Sequence, residues 1–74
     1  MANKTLLKQL GKHIRKLRLE KGLSQKNFAH DIGKDQQSIQ RLEAGNVNPS
    51  FEYLHEVATG LGISCEKLFR GFKP

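Results

Sequence analysis

The chain has 74 residues, a formal net charge of +6, 36% hydrophobic residues and a single cysteine. A chain of this size predicts one small domain, burying about 60% of its unfolded surface with a net stability of about 5 kcal/mol, and leaves no room for a separate sensor or catalytic domain. Cys65 alone excludes an internal disulfide, and with no signal peptide, internal repeat, low-complexity tract or apolar run of about 18 residues the expectation is a soluble, cytoplasmic protein without a membrane segment.

Residues 1–4 are expected to fray, and residues 1–9 read as an N-terminal extension of the domain. From Thr5 to Lys21, Leu7, Leu10, Ile14 and Leu17 recur at spacings of three and four, which is one helical stripe. Lys8, Lys12, Arg15 and Lys16 fall largely off that stripe. Gly11 weakens the helix interior by up to about 1 kcal/mol relative to Ala, and either bends the helix or admits a close neighbour. Gly22 closes the helix and Leu23 turns into the core. Residues 1–22 hold seven basic groups and one acidic one, whereas residues 23–74 are balanced, so all of the excess charge lies on this first segment. Such a patch attracts polyanions over a Debye length of about 8 Å; a solvated helix face is the competing reading. No aromatic residue accompanies the cations, which disfavours a membrane surface.

Residues 24–45, SQKNFAHDIGKDQQSIQRLEAG, predict two short helices joined by a tight turn. Ser24 caps a helix from Gln25 to Ile32, and Gly33 takes the positive φ that the turn demands. Asp35 caps a second helix from Gln36 to Ala44, which Gly45 ends. At 100° per residue Ile39 and Leu42 share its inner face. Gln37, Gln40 and Arg41 stand opposite, with Gln36 at the margin. Gln can bond adenine bidentately, and Arg guanine, from a helix laid in a major groove. Gln and Arg are also good, soluble helix formers, so the face alone leaves both readings open.

After the uncharged loop Asn46-Val47-Asn48-Pro49, a fourth helix carries Phe51, Leu54, Val57, Ala58 and Leu61 as its apolar stripe. Asn48 with Pro49 at the first helical position is one candidate start, and Ser50 is the other candidate cap. Gly60 and Gly62 bracket the helix end, and Ile63 returns to the core. A last short helix begins at Ser64 and directs Leu68 and Phe69 inward or against a partner; residues 71–74 form a tail. His13, His30 and His55 are dispersed without ligand spacing, Cys65 has no partner motif, and the acidic groups show no paired arrangement. No metal, no cofactor and no enzymatic activity is expected.

The stretch 24–45 resembles the helix-turn-helix of the Cro/CI-type (XRE) family of bacterial and phage regulators. The matching residues are Gln25, Phe28, Ala29, Ile32, Gly33, Ile39, Leu42 and Glu43-Ala44-Gly45. The run QQSI at Gln36 to Ile39 is similar to the start of the recognition helix in lambdoid phage repressors, and the segments from about residue 10 to residue 70 follow the family pattern. The resemblance implies an all-α, compact five-helix, lambda-repressor-like domain. It also implies a partly buried ion pair between Arg18 and Glu43, with Arg18 near a phosphate. Docking as in those relatives would have Gln36, Gln37 and Arg41 read bases while Gln25, Lys26, Lys34, Ser38, Gln40 and Asn46 meet phosphates. Three features depart from the pattern, one of them the loop from Asn46 to Phe51, which is uncharged where some phage relatives carry basic residues at the minor groove. Asp35 stands where phage repressors often have Thr or Ser, and Arg41 replaces an amide.

The function so implied is a sequence-specific, double-stranded-DNA-binding transcriptional regulator, bacterial or phage-encoded, acting as a homodimer on a palindromic operator with half-sites about 34 Å apart. Leu61, Leu68, Phe69 and Phe72 exceed what one small core needs, so some of them are candidates for a two-fold dimer surface, with a disordered tail as the competing reading. Phage-type repressor, controller of a restriction–modification operon and self-repressing antitoxin all remain open, as does a module of this fold that chiefly binds a partner protein such as a toxin. RNA is disfavoured, because an A-form major groove does not admit a helix.

Overall fold

Each helix of this chain begins at a residue that can turn its own side chain onto the backbone three positions ahead. In the computed structural model, which describes residues 3–74, the helices are α1 (Lys4–Glu20), α2 (Gln25–Asp31), α3 (Gln36–Ala44), α4 (Phe51–Gly60) and α5 (Cys65–Phe69). Their caps are Asn3, Ser24, Asp35, Ser50 and Ser64, all in extended backbone, accepting from the amides of Leu6, Asn27, Ser38, Tyr53 and Lys67. These bonds measure 2.8–3.1 Å. Each such cap is worth about 1 kcal/mol, because it satisfies an amide the helix cannot.

The five helices enclose one core, in which Ile14, Phe28, Ile39, Leu42, Val57 and Leu68 are the large side chains with essentially no exposure. Helix α1 contributes Leu10 and Ile14, α2 Phe28 and Ala29, and α3 Ile39 and Leu42. Helix α1 lies directly on the C-terminal half of α3: a Cβ on Gly11 would stand 2.7 Å from the Leu42 carbonyl oxygen and closer still to that of Glu43. Gly11 is therefore a point of backbone approach. The turn between α2 and α3 depends on Gly33 at φ 70°, and the Lys34 amide reaches back to the Ala29 carbonyl at 2.8 Å. This is the six-to-one bond of a glycine-terminated helix.

Several expectations are corrected. Asn3 caps α1 and Lys4 is already helical, so within the expected frayed stretch only residues 1–2 lie outside the described residues. Residues 4–9 are helical and continuous with the rest of α1, with Leu7 buried. Ser50, not Asn48, caps α4; Pro49 stays outside the helix because residues 46–49 carry the chain across from the end of α3. Phe51, counted in the apolar stripe, is 73% exposed, since the first residue of α4 lies beyond the rim of the core. Gly60 is the last helical residue of α4, where a Cβ would strike Ile32 and stand 2.9 Å from the Phe28 ring. Phe72, assigned to a tail, packs partly against the core with its ring 5.4 Å from that of His13. Leu61 and Leu68, counted as candidates for a dimer surface, are buried in that core, which leaves Phe69 as the exposed one.

Candidate nucleic-acid interface

The outward face of α3 is held by what lies behind it. Ile39 and Leu42 are fully buried, and Gln36, Gln37, Gln40 and Arg41 are all exposed. Burial of the two apolar anchors fixes the roll of the helix about its axis, so the three amides and the guanidinium project to solvent together. Asp35 accepts the Ser38 amide at 2.8 Å, which uses its carboxylate as a cap at the helix start.

At the far end of α3 the chain places a buried charged group. The Arg18 Nε donates to Glu43 Oε2 at 2.7 Å and Nη2 to Oε1 at 3.0 Å, a two-point pairing of guanidinium and carboxylate. Arg18 Nη1 donates to the Leu23 carbonyl at 2.7 Å, and the Gln25 amide donates to Glu43 Oε1 at 3.0 Å. Both charged side chains are about 95% removed from solvent, with side-chain exposures of 6% and 4%. No buried side-chain nitrogen or oxygen among the described residues lacks a partner. The network ties the C-terminal half of α1, the start of α2 and the end of α3 together.

At the near end a different group supports α3. The Ser38 hydroxyl lies 2.6 Å from the Tyr53 hydroxyl of α4. Lys34, in the turn, stands 5.2 Å from the centre of the Tyr53 ring and 3.4 Å from Glu56. These groups are partly exposed. Tyr53 and Glu56 sit one turn apart on α4 and so face the same way. Their part in the site was invisible in the sequence, where α4 signalled only its apolar stripe.

The candidate contact residues differ in exposure and in what already holds them. Lys26 and Asn46 are exposed, and Lys34 and Ser38 are half-buried and engaged with α4. Gln25 is half-buried and spends one amide hydrogen on Glu43. Arg18 directs all three nitrogens into the protein. Lys4, Lys8, Lys12, Arg15 and Lys16 of α1 are exposed, and among the described residues none is salt-bridged. The three histidines are not equivalent: His30 and His55 are exposed, whereas His13 donates from Nε2 to the Leu68 carbonyl at 2.6 Å. No helix among the described residues is long and apolar enough to cross a membrane.

The helix-turn-helix family profile matches residues 14–68. An uncharacterised HTH-type transcriptional regulator, y4dJ of Sinorhizobium fredii, is 40% identical over 61 residues, spanning 82% of this chain and 79% of that one. Among solved structures, the restriction–modification controller protein C.AhdI from Aeromonas hydrophila superposes with a TM-score of 0.81 at 36% identity, over 90% of this chain and all of that one. The controller protein C.Esp1396I, solved as a tetramer with its natural 35 base-pair operator, superposes with a TM-score of 0.86 at 28% identity, over 95% of this chain and 92% of that one.

Proposed function

We propose, since the chain belongs to the helix-turn-helix family of Cro/CI-type regulators, that it is a sequence-specific transcriptional regulator binding a palindromic double-stranded operator as a homodimer. The observation that carries this reading is the face of α3: Gln36, Gln37, Gln40 and Arg41 exposed together on a helix whose roll is fixed by buried Ile39 and Leu42. Controller proteins of restriction–modification systems share the fold, and one of them is solved on its operator. That likeness supports a controller that acts through its own concentration.

In this reading α3 lies in the major groove. Gln36 and Gln37 present amides to adenine N6 and N7, and Arg41 presents its guanidinium to guanine O6 and N7. Lys26 and Lys34 neutralise phosphates, while Gln40, Asn46 and the remaining amide hydrogen of Gln25 set the register. The exposed cations of α1 raise the local concentration of DNA without reading it.

The test is selection of bound duplexes from a randomised pool at about 0.15 M salt, followed by titration of the selected duplex against a random one. A palindrome preferred about a thousandfold or more, bound by two copies, is the expected result. No enrichment, with weak binding that disappears as salt rises, would sink the proposal. On the selected site Gln37→Ala costs about 1–3 kcal/mol and on random DNA almost nothing. Equal losses on both would remove Gln37 from base reading.

A further inference from the structure

The support beneath the start of α3 has a role that its distances define. Base reading by Gln36 and Gln37 requires the first turn of α3 to be aimed to within about 0.5 Å. A side-chain tip lies about 6 Å from the helix axis, so a roll of about 10° moves it by about 1 Å. Ile39, in that same turn, and Leu42, one turn on, set the roll of the helix from behind. The first turn is gripped at Ser38, by Asp35 through the amide at 2.8 Å and by Tyr53 through the hydroxyl at 2.6 Å. Tyr53 is in turn fixed, because Ser50 accepts its amide at 3.0 Å and its ring packs against the core. The same ring lies 5.2 Å from the Lys34 ammonium, which Glu56 holds at 3.4 Å. One aromatic side chain of α4 therefore braces both the turn and the first turn of α3.

We propose that Tyr53 is a specificity-positioning residue: within the roll that Ile39 and Leu42 set, its hydroxyl holds Ser38 and so sharpens the aim of Gln36 and Gln37, and Tyr53 itself reads no base. The inference rests on the DNA-binding reading above. It assigns the Ser38 hydroxyl to Tyr53 rather than to a phosphate. Tyr53→Phe keeps the ring, its packing and the cation contact, and removes only the hydroxyl.

The experiment titrates the wild-type protein, Tyr53→Phe, Ser38→Ala and the double variant against the selected and random duplexes at one salt concentration. Amide hydrogen exchange of the free proteins is followed at Gln40 and Arg41, whose amides close the first turns of α3. Each single variant is expected to lose about fivefold to tenfold on the selected duplex, the loss of one hydrogen bond, and less than about twofold on random DNA. The double variant should lose no more than either single one, because both act through the same bond. Exchange at Gln40 and Arg41 should quicken in all three variants, with the rest of the core unchanged. Equal losses on both duplexes, additive losses, or no loss overturn the proposal; the first two identify direct phosphate contacts instead. If the wild-type protein selects no site, the DNA-binding reading fails separately. The exchange measurement then decides alone: unchanged rates in Tyr53→Phe overturn the bracing role, and quickened rates confined to α3 uphold it.

Discussion

Helix α3 is held at its two ends by polar groups of opposite character. At the C-terminal end, Arg18, Glu43 and Gln25 form a closed network with the ion pair almost wholly out of water. At the N-terminal end, Ser38, Tyr53, Lys34 and Glu56 form a partly exposed group, in which the Lys34–Glu56 side chains are 33% and 37% exposed. The difference separates stability from aim. A buried, fully bonded pair contributes little against an apolar substitute of the same shape, yet breaking it strands a charge in a low dielectric. An exposed group holds little free energy because water replaces its bonds, but it still decides where neighbouring side chains point.

Three substitutions would break or sharpen this contrast. Glu43→Ala leaves the Arg18 guanidinium buried without its carboxylate, and stability should fall by about 3–5 kcal/mol, close to all that a domain of this size has. A urea melt showing no loss would mean that the pair is not buried in solution. Gly11→Ala comes next. Alanine favours a helix by up to about 1 kcal/mol, but here its Cβ meets the carbonyls of Leu42 and Glu43. Because that neighbour is backbone, the clash wins and a net loss of about 1–3 kcal/mol is expected in the same melt. A gain would show that α1 does not seat against α3 as described. Glu56→Gln is the smallest. It removes an exposed partner, so stability changes by less than about 1 kcal/mol. In the proposed interface Lys34 is released toward phosphate, so DNA affinity should rise modestly on selected and random duplexes alike. A fall in affinity would mean that Glu56 holds Lys34 in its binding position.

The apolar stripes differ in how far they could be read ahead. Those of α1 and α3 matched the core because both helices cross its middle. The stripe of α4 misled at Phe51, because periodicity assigns a face but not the point along the helix where the core ends. The exposed contact face of α3 was legible for the reason that its anchors were: Ile39 and Leu42 settle the roll, and the residues opposite must then face water. Glu43 was paired with Arg18 only by family resemblance, since 25 residues separate them and no local rule joins such positions.

The sequence by itself determined where α2, α3 and α5 begin and which way α3 faces. Ser24, Asp35 and Ser64 act on amides three residues away, and Gly33 acts on its own backbone, so their effect needs nothing beyond the local chain. Only the tertiary structure decided that Tyr53 would meet Ser38, that His13 would reach the Leu68 carbonyl 55 residues on, and that Gly11 and Gly60 would serve close approach. Contacts at such separations depend on how whole helices pack, and packing follows from the shape of the entire core rather than from any short run of residues.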